Sequence, residues 1–190
     1  MVARIAAVLG GPRRALALAC LTAAIAVYTA GADHLWRAGL WPDIFLLKYE
    51  PKPSEVQEGV AFYGRAGQAL LKSLQRLRVD PMSVYGTNCL KFAGQDPEEA
   101  RPWLTRELHI VQPKLFVLMG EPTVEFTNAI AFPLSDPVDP AAEGLQRFTA
   151  TVEALVVPDI DAALDEAPAK TAFWNAFKAL GPWWQELPPY

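Results

Sequence analysis

The chain has 190 residues, 52% of them hydrophobic and 20% charged, with a formal net charge of -4 at pH 7. That length and balance describe one globular domain with a core to bury and exclude a disordered chain. The negative sign excludes a general electrostatic pull toward nucleic acid, so any such contact has to come from a local cluster of Lys and Arg.

In chain order, residues 1 to 40 read as an N-terminal helical segment. Residues 15 to 32 carry no charge and follow Arg13-Arg14, so a signal peptide or membrane anchor has to be weighed against a buried helix. Eight of those 18 residues are Ala, which leaves few strongly apolar side chains to drive insertion. Ala also favours a helix packed closely on a sheet. The expectation is a buried helix and no membrane contact. Cys20 and Cys89 cannot form a disulfide framework or complete a four-thiolate site by themselves, which points to a reducing, cytoplasmic location.

The first strand is expected at Asp43 to Lys48, a short apolar run between Pro42 and Pro51 that is too short for a helix. A loop from 48 to 61 follows, then an amphipathic helix from about Gly64 to Leu77. It places Ala66, Leu70, Leu71, Leu74 and Leu77 on one face and Arg65, Lys72, Arg76 and Arg78 mostly off it. The cations read as a solvated face or as a phosphate-contact patch. A second strand spans Ser83 to Asn88. Asp96 is an N-cap candidate, with Pro97 in the first turn, for a helix to about Val111. The third strand, Lys114 to Met119, is a continuous apolar run of the kind covered on both faces. Gly120-Glu121-Pro122 opens a helix to about Ile130, a Pro-rich loop covers 133 to 140, and a fourth strand lies near Ala154 to Val157. A last helix from about Ala169 to Leu180 ends at Gly181-Pro182, with 183 to 190 as an extended tail. This alternation predicts an α/β fold in one domain over 1 to 190, a three-layer α/β/α sandwich around a central, mainly parallel four-stranded sheet.

The stretch from Asp43 to Asn88 carries more than secondary structure. It reads Asp-Ile-Phe-Leu-Leu, then Lys48-Tyr49-Glu50-Pro51-Lys52-Pro53, then Ala61-Phe62-Tyr63-Gly64-Arg65-Ala66-Gly67, then Val84-Tyr85-Gly86-Thr87-Asn88. In this it resembles the uracil-DNA glycosylase superfamily, in particular its bacterial iron-sulfur families. There a strand delivers a Gly-Glu-x-Pro-Gly loop, a Pro-Phe-x-Gly-x-Ala-Gly helix start follows, and a further strand ends in Thr-Asn. The resemblance covers roughly residues 43 to 180. Phe62, Gly64, Ala66, Gly67, Thr87 and Asn88 match in order and spacing. In the first loop, Lys48 and Lys52 stand where the two glycines belong, and Tyr49 stands at the acidic position with Glu50 one place later.

What the resemblance implies is base excision from DNA containing uracil or a damaged base, by a monomer. Such an enzyme flips the nucleotide, stacks the base on a ring, reads its edge and lets the base leave as an anion. Phe62 takes the stacking place and Asn88 the base-reading amide, which can accept from the ring N-H of uracil. Tyr49 and Gly64 complete the expected base-binding set. Each also has a plain reading: Phe62 as core, Asn88 as a strand-end turn residue. Glu50 is the candidate for positioning water, with Glu55 as the alternative.

The family's His-Pro-Ser/Thr motif after the fourth strand is replaced here by Val157-Pro158-Asp159-Ile160-Asp161. His34 and His109 lie elsewhere, and His109 reads as structural. Asp159, Asp161, Asp165 and Glu166 put negative charge where a developing base anion would need the opposite. Of the family's four cluster cysteines only Cys20 has a counterpart. The second place is Ala23, the third and fourth fall near Phe92 and Ala100, and Cys89 is off register. No iron-sulfur cluster, metal or other cofactor is expected. A member that keeps the fold but binds a nucleobase, nucleotide or protein partner without catalysis is the alternative.

Overall fold

The computed structural model describes residues 42–130 and 132–188. Numbering elements from the first described residue, the strands are β1 (Ile44–Lys48), β2 (Val84–Asn88), β3 (Leu115–Met119), β4 (Leu145–Arg147) and β5 (Glu153–Val157). The helices are α1 (Pro53–Glu58), α2 (Arg65–Leu77), α3 (Pro97–Val111), α4 (Glu121–Asn128), α5 (Ile160–Asp165), α6 (Ala167–Phe177) and α7 (Leu180–Glu186), with a short 3-10 turn at Pro81–Ser83. The sheet order is β2-β1-β3-β5-β4. β2, β1, β3 and β5 are parallel and β4 pairs antiparallel with β5. Helices cover both faces of the sheet, so the fold is the expected α/β sandwich.

Strand periodicity sorts the core. Every residue of β1 and β3 is buried, as parallel strands covered on both faces require. Phe45, Leu47, Phe116 and Leu118 point to the layer that holds α3 and α4. Ile44, Leu46, Leu115, Val117 and Met119 point to the layer that holds α2, α5, α6 and α7. Lys48 follows Leu46 on that second face, because side chains alternate.

The structure corrects several boundaries. β4 was not expected; it is three residues long with two of them exposed, so no apolar run announces it. The 48 to 61 loop contains α1, where Pro53 sits in the first turn and the Glu55 carboxylate reaches back to accept from the Lys52 N-H at 2.6 Å. Residues 160 to 165 form α5, capped by Asp159 Oδ1, which accepts from the Ala162 N-H at 2.8 Å. Leu71 is 44% exposed rather than on the buried face of α2.

Residues 183 to 186 are helical rather than an extended tail, because α7 begins at Leu180 and carries Gly181 and Pro182 in its first turn, where proline is tolerated. Burial of Leu180 and Trp183 holds this helix on the sheet, and the Trp183 indole N-H donates to Glu153 Oε2 at 2.6 Å. The segment expected as an N-terminal helix, with Cys20, Ala23 and His34, lies outside the described residues.

Candidate functional site

The carboxyl ends of parallel strands are where open α/β sheets gather ligands. Here β1 ends at Lys48, β2 at Asn88, β3 at Met119 and β5 at Val157, and Lys48 is in register with both Asn88 and Met119. In-register parallel neighbours share a face, so Lys48 and Asn88 project to the same layer.

Phe62 lies in that layer. Its backbone is left-handed at φ 59°, a conformation that costs a bulky residue of order 1–3 kcal/mol. Two glycines make room for it: a Cβ on Gly86 of β2 would meet the ring at 3.0 Å, and a Cβ on Gly67 of α2 would meet the Phe62 carbonyl oxygen at 2.3 Å. Gly64, the N-cap of α2, has φ 89°, open to glycine and strained for other residues. The Phe-x-Gly-x-x-Gly spacing is therefore a packing device: it seats the ring against Gly86 of β2, two residues before Asn88.

What covers the ring was not expected. The Lys48 ammonium stands 5.5 Å from the Phe62 ring centroid. It pairs with Glu55 Oε2 at 2.7 Å and with Asp161 Oδ2 at 2.7 Å, and Lys52 reaches the other oxygen of Asp161 at 3.2 Å. Lys48 and Glu55 are each 1% exposed. The two lysines and two carboxylates sum to zero charge. Without that balance so deep a burial would be prohibitive. Lys48 stands at a glycine place of the loop motif, so a position that ordinarily projects no side chain here sends an ammonium over the aromatic ring. Two of the acids after β5 meet cations: Asp161 pairs with Lys48 and Lys52, and Asp165 meets Arg65 at 3.2 Å on the surface.

Asn88 is fully buried, and its strand end is held from below. The Lys91 ammonium donates to Thr87 Oγ1 and to the Asn88 carbonyl, each at 2.8 Å, and pairs with Glu107 at 2.7 Å. Lys91 and Glu107 are 1% and 0% exposed, so this is a second buried ion pair, on α3 and the loop after β2. Beside it, burial pushes the Cys89 thiol well above its ordinary range, while the Lys91 ammonium pulls it down and the Glu107 carboxylate pushes it up.

Glu50 and Tyr49 lie apart from this group. Glu50 is exposed, and Tyr49 is half-buried with its ring edge-on to Phe126 at 6.3 Å. Both line an open cleft of about 510 Å³ beside the strand ends, with Lys52, Gly120, Asp159 and Asp161 on its other walls. Neither Phe62 nor Asn88 lines that cleft. Phe62 packs on Gly86 in the layer that Asn88 faces, while Glu50 and Tyr49 line the neighbouring cleft. Asp161 faces both. Lys48 and Asp161 were missed as members of the site. Their signal was present in the sequence as a lysine in a glycine's place and an acidic run after β5, read separately when each explains the other.

The iron-sulfur families' cluster does not fit this donor set. The places expected for its third and fourth ligands are Phe92 and Ala100. Ala100 is fully buried in the core, and neither side chain can donate to iron. Among the described residues no group of three or more His, Cys, Asp or Glu could hold a metal ion. His109 is exposed, its ring tilted against Phe132 at 5.4 Å, away from the strand ends. Among the described residues no helix is long and apolar enough to cross a membrane.

Comparison with curated proteins gives no match. The family model of the uracil DNA glycosylase superfamily matches residues 42–180, the span that holds every strand and all but the last helix of the sheet described above, and the chain belongs to that superfamily.

Proposed function

We propose that this is a divergent uracil-DNA glycosylase-like hydrolase that acts on uracil or a damaged base in DNA, with Phe62 as the stacking ring, Asn88 as the edge reader and Glu50 as the group that positions water. The observation that carries this reading is Phe62. A core phenylalanine has no need of a left-handed backbone, and two glycines are given up to accommodate this one, over β2 and on Asn88's side of the sheet. Strain that the surroundings hold in place is a mark of a functional position. Tyr49 and Gly64 supply the cleft wall and the turn that delivers the ring.

A second reading is favoured by Lys48. Its ammonium stands 5.5 Å from the centre of the Phe62 ring proposed to stack a base, and it is already neutralised by Glu55 and Asp161. A member so filled would bind a nucleobase, nucleotide or protein partner without cleaving a glycosidic bond. The discriminating experiment is a single-turnover assay on uracil-containing oligonucleotides at high enzyme excess, with wild type, Asn88→Ala and Glu50→Gln. The catalytic reading expects weak excision, better from single strands, where unpairing costs least. Asn88→Ala should abolish it and Glu50→Gln reduce it strongly. Losing one donor to a developing anion commonly costs about 100-fold or more, and no histidine follows β5 here. Absence of abasic product from wild type would eliminate the catalytic reading.

A further inference from the structure

Away from the strand ends, α2 and α6 enclose a groove of about 410 Å³. Arg65, Lys72 and Arg76 of α2 fall at i, i+7 and i+11, which places them within about 40° of one another around the helix and spaces them about 10 and 6 Å along it. Lys170 of α6 completes the cationic lining. Phe173 and Trp174 of α6 form an apolar and aromatic wall. In a chain of net charge -4 this is a local concentration of the opposite sign.

Two of the cations are held in place. The Arg76 guanidinium stacks on the Trp174 ring at 4.5 Å, and Arg65 is fixed by Asp165 and by the Leu164 carbonyl, at 3.2 and 3.1 Å. A stacked arginine keeps its N-H edge for a second partner, and its planar fork matches two phosphate oxygens. Lys72 and Lys170 have no acidic partner among the described residues.

We propose that this groove binds the phosphodiester backbone of a single-stranded nucleic acid. Sequence-tolerant binding of single strands needs a positive groove for the backbone and aromatic or arginine planes against which bases stack; the lysines and arginines supply the first and the Arg76 guanidinium on Trp174 the second. An anionic occupant follows from the charge of the lining. The uncharged stretch 15 to 32 of this chain, preceded by two arginines, does not supply one. The groove is separate from the cleft that contains Glu50, but α5 borders both, since Asp161 lines the cleft and Ile160, Ala163 and Leu164 line the groove. A strand held here would lead toward the strand ends. The proposal rests on reading the protein as one that acts on nucleic acid, not on its excising a base.

The test is fluorescence anisotropy with a labelled thymidine 15-mer that contains no uracil, at several salt concentrations. The variant is Lys72→Glu with Lys170→Glu, whose side chains are exposed and whose fold is checked by circular dichroism. The expected result is binding by wild type, weakened roughly tenfold in the variant, with the salt slope reduced by about 1.4 for two lost phosphate contacts. Unchanged affinity and slope, or no binding by wild type at 50 mM salt, overturns the proposal. So does displacement of the labelled strand by polyglutamate as effectively as by unlabelled thymidine strand, since that would make the partner an acidic protein segment. Glu50→Gln should bind as wild type does. Absence of uracil excision by wild type, with strand binding intact and lost in the double lysine variant, would sink the catalytic reading alone, whereas excision by wild type with strand binding unchanged in that variant would sink the groove alone.

Discussion

Lys48 concentrates the energetic tension of this protein in one side chain. Its ammonium is 1% exposed and stabilised chiefly by the carboxylates around it, so removing it leaves Glu55 buried with a charge and no ammonium at 2.7 Å. Breaking one side of such a pair costs about 3–5 kcal/mol, whereas replacing both partners with neutral groups of similar shape is far cheaper. Lys48→Met should therefore lower stability by about that amount in urea denaturation, and Lys48→Met with Glu55→Gln should recover much of it. Equal losses for the single and double variants would show that the pair is not energetically coupled.

Cys89 offers a test that depends on pH. Its folded thiol titrates far above the ordinary value of 9.0, chiefly because it is buried. The unfolded chain therefore gives up this proton first. Stability from the buried neutral thiol is complete below pH 9 and is lost as pH rises from there toward the folded value. Cys89→Ala should make the alkaline fall in unfolding free energy shallower by up to about 1.4 kcal/mol per pH unit. An identical slope in wild type and variant would contradict it.

The strand, loop and helix from β1 to β2 form a unit whose parts are chosen for one another. The Phe62 carbonyl presses so closely on Gly67 that a methyl group there would sit 2.3 Å from it, against backbone rather than a flexible side chain. Gly67→Ala should thus displace the start of α2 and cost about 1–3 kcal/mol, the usual penalty for overpacking. Thermal unfolding would measure it. Gly64 differs, since nothing lies within 4 Å of its added Cβ, and its constraint is the positive φ alone. Glu55 links this unit to β1, because one carboxylate oxygen both caps α1 through the Lys52 N-H and pairs with Lys48. α5 closes the arrangement by delivering Asp161 to both lysines. Two of the elements absent from the sequence-based assignment, α1 and α5, thus carry the acids that pair with Lys48.

At the scale of the whole molecule, the superfamily's sheet is retained while the metal chemistry of its iron-sulfur branch is not supported by the residues in place. Phe92 and Ala100 cannot ligate iron, and Ala100 is packed with no exposure. The purified protein is expected to be colourless. Iron analysis giving about four irons per chain, with absorbance near 400 nm from a thiolate-bound cluster, would overturn this. Charge is also distributed on this scale. Acids gather where β5 meets α5, with Asp161 and Asp165 paired to cations, while Lys72 and Lys170 line the groove between α2 and α6 beside Arg65 and Arg76.

Local pattern determined the layered α/β fold, the order and limits of the four long strands, the capped start of α3 at Asp96 and the Phe62 to Gly67 motif. Each is written in contiguous apolar runs, caps and glycines, which act over a few residues. β4, α1, α5 and α7 are three to seven residues long, too short to show a periodic apolar pattern even where Pro53 or Asp159 marks a start. Short elements like these are stabilised by what they pack against. The site divided along the same line. Phe62 and Asn88 could be named as candidates because their order and spacing carry the family resemblance. The ion cluster could not, because Lys48 and Asp161 are 113 residues apart in sequence and only the closing of β5 beside β3 brings their charges to 2.7 Å.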